Sequence, residues 1–548
     1  MSQANAVEWV RYVFPRPEHP CYHVEVALRV EAARDWKVRE ARINGRRVRD
    51  LWIYNEGEAH KLRVLQRGRL ASVVLRCDWS GGASYAVEVE LEEDGGARTQ
   101  TLVHESTAQG STGYWDTRWK HYLAVVLREN SGLARQNEPV HVTLATYADR
   151  LTDPQREVRV VAVEPLSGRQ TEIPSQTYHP STWTTPQPDK YCQNTTTCEV
   201  AFLADVPAWA EKVFLVFYGN PEAPTPQYQT DLTVSGEGLE MTIENSYYRM
   251  HTQPTGGAID EIFMKMGVDA LFEHRLETNG AVQWNPGIYS PKRPWIHTSD
   301  WNPPDHYGDV RGPVFHMFKR WGGFADYPEV QFSVTYLFYA YNPYLVFNST
   351  FDVVQDIHCI ALRNGEFVFN HAVFEEFAWR RPDGGVGSMV IKSGPRHPRH
   401  AQRLEADTPW LAYYSRRHGC GFGAMTLNLA EMRRSDGLPR KDYPYIYLAW
   451  GPWTYFSRVY TYAFGSNNPQ RMVKVGSGTT YYEQMAFMPF QLGGTEEDRF
   501  LQLEERYDRL ADPLDWRLEL DTDERVPEEW VPPILVAQFE EMEDAEDV

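Results

Sequence analysis

The chain has 548 residues, 42% of them hydrophobic, 13% aromatic and 24% charged, which excludes wholesale disorder and implies more than one hydrophobic core. Its net charge of −20 argues against a nucleic-acid partner, because phosphate binding needs a basic footprint. No apolar run approaches membrane-spanning length, so no membrane partner is expected.

From the N-terminus, most of the chain reads as short strands between turn signals. "YHVEVALRVEA", "SYAVEVELEE", "REVRVVAVEPL", "EKVFLVFYGNP", "VQFSVTYLFYAY" and "YLVFNSTFDVV" combine alternation with Val, Phe, Tyr and Thr enrichment, the pattern of half-buried strands. Residues 1–105 carry "NG", "GG" and "DGG" turns and have the size of one β-sandwich. A second, accessory sandwich is expected over 106–230, up to the Pro-rich "GNPEAPTPQYQTD". Residues 231–495 form an unbroken strand series too long for an ordinary sandwich, so large stacked sheets are implied. A helix is predicted over "TEEDRFLQLEERYDRLADPL", Thr495–Leu514, with Phe500, Leu501, Leu503, Tyr507 and Leu510 on one face; an acidic tail closes the 496–548 segment. The fold class is therefore multidomain all-β.

"MSQANAVEWVRYVF" has no apolar core of a signal peptide, so a secreted or periplasmic location presupposes a leader already removed, and the alternative is cytoplasmic. Six Cys are too few for a disulfide scaffold. In "YCQNTTTC", Cys192 and Cys198 flank a short polar loop and are either a disulfide clip or two thiols, depending on compartment. Oligomeric state is not readable.

Charge is unevenly spread. Residues 281–480 hold 21 Lys+Arg against 16 Asp+Glu, leaving 34 against 59 elsewhere. A locally basic segment in an acidic chain suits an anionic ligand held by Arg, or is ordinary scatter of solvated charge. Eighteen Trp and thirty-one Tyr suit either a sugar-binding cleft or an aromatic β-core.

The stretch "LEMTIENSYYRMHTQPTGGAIDEIFMK", Leu239–Lys265, resembles the opening strands of the galactose-mutarotase-like β-supersandwich found in carbohydrate-active proteins, among them polysaccharide lyases, sugar epimerases and parts of glycosidases. The resemblance implies saccharide handling and a large supersandwich after the N-terminal sandwiches, with the polar ends of the Asn and Tyr able to face a concave sheet. It does not imply a reaction, because one fold hosts many chemistries.

Three clusters in the basic segment carry candidate chemistry. In the proline-stiffened region around "HTSDWNPPDHYGDVRGPVFHMFKRWG", Trp284, Trp295 and Trp301 are candidate sugar platforms, with His297 among the binding residues. His306 and Tyr307 are candidate proton carriers, and Arg311 a carboxylate grip. In "RNGEFVFNHAVFEEFAWRR", Asn364 and His371 are candidates. In "KDYPYIYLAWGPWTYFSRVYTYAF", Tyr455 and Arg458 are candidate catalytic groups, with Trp453 beside them and Tyr443, Tyr445 and Tyr447 on one strand face; an adjacent Arg is expected to lower a Tyr pKa toward that of a base. Each cluster also reads as ordinary packing. His–Tyr pairs with Arg or Asn perform β-elimination in lyases of the resembling class. The expected activity is thus a polysaccharide lyase acting on an anionic, uronate-containing poly- or oligosaccharide. A hydrolase pairing Asp300 or Asp305 with Glu375 or Glu376, and a non-catalytic glycan-binding protein, remain open alternatives. No cofactor is expected: "HTSD" offers His297 and Asp300 three residues apart, and a divalent cation would need His316 and His371 brought to them by the sheets.

Overall fold

The computed structural model describes residues 9–13, 22–31, 34–48, 51–55, 64–79, 84–93, 99–107, 115–163, 169–265, 270–273, 281–283, 293, 296–369, 373–432, 444–462 and 472–519, apart from 190, 209, 393, 395 and 453. The chain forms two compact units. One comprises Met1–Pro226 with Leu514–Val548, the other Gln227–Pro513. Among the described residues, strands dominate both, and no helix is long and apolar enough to cross a membrane.

The first unit is organised about a five-stranded antiparallel sheet in the order Gln170–Ile173, Arg159–Val163, Glu211–Tyr218, His121–Arg128, Asp515–Glu519. Its central strands, "HYLAVVLR" and "EKVFLVFY", are apolar at nearly every position because both faces are covered. Tyr122, Ala124, Val126, Val213, Leu215 and Phe217 join a core with Ile53, Val73 and Val87. Their neighbours Leu123, Val125, Leu127, Phe214 and Val216 join another with Val142, Val200 and Phe202. The second core lies under a three-stranded sheet of Arg135–Tyr147, Thr195–Val206 and Ser175–Trp183. Asp515–Glu519 adds an edge strand to His121–Arg128, an element the sequence reading leaves inside the C-terminal segment. Cys192 and Cys198 are both free thiols.

The second unit is a sandwich. A nine-stranded antiparallel sheet runs His306–Val310, Phe315–Phe324, Tyr327–Tyr339, Leu345–Val353, Thr479–Gln491, Cys420–Met432, Trp410–Ser415, Glu376–Arg380, Val386–Val390. Against its inner face packs a five-stranded sheet of Ala281–Gln283, Ala361–Phe369, Thr454–Tyr462, Tyr445–Trp450 and His400–Glu405. Aromatic pairs join the two, with Phe367 at 3.9 Å from Phe487, Tyr460 at 4.0 Å from Tyr481 and Phe369 at 4.1 Å from Tyr413. Burying each such ring contributes about 1.5–3 kcal/mol, so much of the aromatic surplus is core.

A further five-stranded sheet, Thr233–Glu237 through Ala270–Glu273, contains the Leu239–Lys265 stretch. Its expected hairpin is present: Tyr248–Thr252 pairs antiparallel with Ile259–Met264, and Gly257 turns between them at φ +70°. The polar residues of that motif do not face outward, however. Asn245 is buried, donating to the Tyr339 and Asn342 carbonyls and accepting from the Tyr247 and Tyr248 amides. Tyr248 is also buried, against Phe338. Both tie the turn to the large sheet.

The predicted helix is shorter than its pattern, spanning Leu501–Ala511. Leu503 and Phe500 are buried, Phe500 against Trp410, Tyr414 and Phe490, while Leu501 is exposed.

Candidate functional site

The sandwich sorts the candidate residues by strand parity. On Thr454–Tyr462, Tyr455 and Val459 face away from the nine-stranded sheet, in a cluster with Tyr445, Tyr447 and Ala449. Phe456, Arg458 and Tyr460 alternate with them and face inward.

Arg458 is therefore not available to a ligand. Its guanidinium is buried, with Nε donating to Glu483 at 2.5 Å, Nη2 to Thr426 Oγ1 at 3.1 Å and Nη1 to the Ala406 carbonyl. Asn364 joins the same inter-sheet layer, donating to Ser349 Oγ at 2.5 Å and approaching Tyr460 Oη at 3.4 Å. Both expectations are overturned by parity: the residues are polar members of the core, satisfied within it.

The outward face holds a different constellation, and a bulge creates it. Asn364 lies opposite Arg458 and Phe367 opposite Phe456, so three residues span what two span on the partner strand. Gly365 takes φ +55° there, where an added Cβ would stand 3.2 Å from a Glu483 carboxylate oxygen. In a regular strand residues 363 and 366 point to opposite faces. The extra residue brings them together, and Arg363 Nη1 sits 2.7 Å from Glu366 Oε2.

Arg363 Nη2 also lies 3.4 Å from His297 Nε2, whose Nδ1 is 3.4 Å from Asp300 Oδ2. An arginine nitrogen can only donate, so the imidazole nitrogen facing it is the acceptor in that contact. A single 3₁₀ turn, Thr298–Asp300, closes this arrangement through the His297 amide, which donates to Asp300 Oδ2 at 2.9 Å. Arg320 anchors the turn from below. Fully buried, it donates to the Thr298 carbonyl at 3.1 Å, to the Gly256 carbonyl and to Tyr336 Oη at 3.1 Å. Its guanidinium lies near the Trp301 and Tyr336 rings.

Tyr455 completes the group. Arg399 Nη2 donates to Tyr455 Oη at 2.6 Å and approaches Tyr447 Oη at 3.5 Å. Burial pushes the Tyr455 phenol up to about 12, outweighing the charges of Arg363 and Arg399, which pull it down. The expectation that Arg would make this Tyr a base is thus reversed: desolvation wins and the phenol holds its proton. Because Arg399 supplies the donor to the phenol oxygen, the Tyr455 O–H is left to donate to something else.

The remaining candidates lie elsewhere. Trp301 is buried, its Nε1 donating to the Gly323 carbonyl at 2.9 Å and its ring stacked on Phe324, so it is no sugar platform. His306, Tyr307 and Arg311 belong to the exposed edge of the nine-stranded sheet. His306 lies 5.3 Å from Trp321 on that sheet's outer face, opposite the face of the sandwich that carries Tyr455. Arg311 is held by Asp309 at 2.5 Å. Trp284, Trp295, His371, Trp453 and Tyr443 lie outside the described residues. His316 is buried, its ring on Phe338, and among the described residues no group of three or more His, Cys, Asp or Glu is arranged to hold a metal ion.

Asp305 pairs with neither Glu375 nor Glu376, and Asp300 stands beside His297. Glu376 accepts from Tyr414 and Arg416, and Glu375 from Ser415, seven strands along the sheet from the His306–Val310 strand that follows Asp305. Seven strand spacings make a separation of about 30 Å, far beyond the reach of a catalytic carboxyl pair.

Sequence reasoning named His297, Tyr447 and Tyr455 but assigned no role to Arg363, Glu366 or Arg399. The signal for Arg399 was the basic composition of "KSGPRHPRHAQR"; the signal for the Arg363–Glu366 pair was the lone Gly inside a strand pattern, a mark of bulges.

No protein-family model matches the chain, and no curated protein matches it. Among solved structures it is similar to a protein in glycosyl hydrolase family 38 from Enterococcus faecalis, at 12% identity and a TM-score of 0.45, over 74% of this chain and 48% of that one. An alpha-mannosidase from Enterococcus faecalis is similar at 12% identity and TM-score 0.42, over 73% and 46%. The chain thus spans about half the length of these two proteins. A galactose mutarotase-like protein from Lactobacillus casei is similar at 11% identity and TM-score 0.32, over 46% of this chain and 100% of that one. Its structural neighbours therefore include galactose-mutarotase-like proteins, the family that Leu239–Lys265 resembles, and family 38 glycosyl hydrolases.

Proposed function

We propose that this chain is a carbohydrate-active enzyme, a polysaccharide lyase that cleaves an anionic, uronate-containing glycan by β-elimination on the outward face of the five-stranded sheet. The observation that carries the reading is the Tyr455 phenol, kept protonated by burial, beside Arg399 and within the field of Arg363, which faces the acceptor nitrogen of His297.

β-Elimination needs three groups. A cation neutralises the uronate carboxylate and so acidifies the C5 proton; exposed Arg399 is the guanidinium that a polymer reaches. A base removes that proton, and His297 Nε2 takes it once the bound uronate draws Arg363 Nη2 away from the lone pair it faces at 3.4 Å. An acid protonates the departing oxygen, and Tyr455 donates to it. The C5–H and C4–O bonds break, a C4=C5 double bond forms, and the phenolate regains a proton from the imidazolium or from water. Arg363, ion-paired with Glu366, orients His297.

The test is incubation with a panel of uronate polymers, watching for the ultraviolet absorbance of the unsaturated product. Tyr455→Phe should lower kcat by ~10²-fold or more with an unchanged fold. Reducing ends without the chromophore would indicate hydrolysis and overturn the proposal, as would full activity in Tyr455→Phe.

A further inference from the structure

The three-stranded sheet of the first unit buries one face in the core; the other face is covered at Gln176 and Ala201 but open at the end where Trp183 lies, and that open end carries two exposed rings. Val140, Val142, Leu144, Val200 and Phe202 belong to the core beneath it, so alternation turns Thr143, Ala145, Tyr147, Thr195 and Thr197 outward.

On the third strand the register slips. Tyr178 lies opposite Glu199 but Ser181 opposite Thr197, three residues against two. His179 takes φ +48° within this bulge. The extra residue sets Trp183 on the same face as Tyr147, where the indole points into water and is 62% exposed.

Trp183 lies opposite Thr195, and Thr195 opposite Tyr147, itself 41% exposed. The two rings therefore stand in one transverse row, two strand spacings or ~10 Å apart, with a hydroxyl between them. Ser181, Thr197 and Ala145 form the next row, low enough to leave a trough beside the rings. Arg150 caps one end with its guanidinium 4.9 Å from the Tyr147 ring centre. The two rows themselves contain no charged side chain. The Thr195 hydroxyl donates to the Gln193 carbonyl at 3.0 Å, so its oxygen is left to accept; two exposed rings with a hydroxyl oxygen between them suit a ligand that is apolar on its ring faces and hydroxylated at its edges. The ring separation is comparable to the two-sugar repeat of an extended β-linked glycan, in which alternate sugars present the same face.

We infer that the Trp183–Thr195–Tyr147 row is a non-catalytic docking site for a neutral, extended β-linked glycan. It stands apart from the activity proposed above and does not depend on it.

The experiment is affinity electrophoresis of the full chain through gels containing a β-glucan, a xylan or a mannan, beside a uronan gel and a blank. At least one neutral polysaccharide should retard the wild type, and Trp183→Ala and Tyr147→Ala should each weaken that affinity ~10-fold or more. Cleavage of short uronate oligomers by the same variants should be unchanged, which separates this site from the lyase reading. Both residues are exposed, and circular dichroism checks the fold. Absence of retardation on every neutral gel overturns the proposal. So does undiminished retardation of Trp183→Ala, or light scattering in which the wild type is a dimer and Trp183→Ala a monomer, which would make the row a contact between copies of this chain.

Discussion

Replacing Glu483 by Gln tests whether Arg458 is core or catalyst. The side chains of Arg458 and Glu483 are 1% and 0% exposed and 2.5 Å apart, so the substitution removes the counter-charge and leaves the guanidinium only neutral acceptors, the amide oxygen, the Thr426 hydroxyl and the Ala406 carbonyl, among its described partners. Removing one member of a buried pair costs about 3–5 kcal/mol, because the other charge stays desolvated. In a unit of this size each kcal/mol moves the melting point by ~2–4 °C, so the sandwich should melt ~10 °C lower. The double variant Glu483→Gln/Arg458→Met removes the orphaned charge and should recover at least half of the loss. Thermal and urea unfolding, followed by near-ultraviolet circular dichroism, measure both; activity assayed well below the transition should be retained. A Glu483→Gln protein within ~1 kcal/mol of wild type, or a double variant less stable than either single one, would refute the argument that this pair is a desolvated core element.

Two further outcomes are expected. Burial lowers the His316 imidazole to about 4, so below pH 6.5 the unfolded chain takes up a proton that the folded one refuses; stability contributed by the neutral ring is present above pH 6.5 and is lost as pH falls toward 4, at up to ~1.4 kcal/mol per pH unit. His316→Phe, which can keep the stacking on Phe338, should flatten that acid limb in urea titrations at pH 7, 5.5 and 4.5, and an unchanged limb would show that the loss arises elsewhere. Burial also pushes the Cys198 thiol up to about 12, whereas Cys192 is part-exposed; peptide mapping after brief alkylation at pH 8 should find label on Cys192 and none on Cys198 until the protein is unfolded, and a 192–198 disulfide in the oxidised protein would contradict the free-thiol geometry.

The sequence carried the architecture because strand formation is local. "SYAVEVELEE" becomes the strand Ser84–Glu93, "YLVFNSTFDVV" contains Leu345–Val353, and the Gly-Gly hairpin after Asn245 forms where the motif places it. Period-two alternation puts Tyr455 and Arg458 on opposite faces of one strand, a consequence that expecting them to act together overlooked. Alternation alone does not say which face meets another sheet, and that decided their fates: Arg458 went inward to Glu483, and Tyr455 outward to Arg399, 56 residues away in the chain.

Two bulges moved side chains that simple parity would have misplaced, setting Glu366 beside Arg363 and Trp183 in solvent. Desolvation reversed the expected direction of the Tyr455 pKa, because it depends on every group packed around the phenol, most of them distant in sequence. Pattern and propensity, which are properties of neighbours along the chain, determined that this protein is built of sheets and where its strands run. Sidedness, register and burial arise only when segments from 297 to 460 are laid together, and so which candidate side chains share a face was decided by the tertiary structure alone.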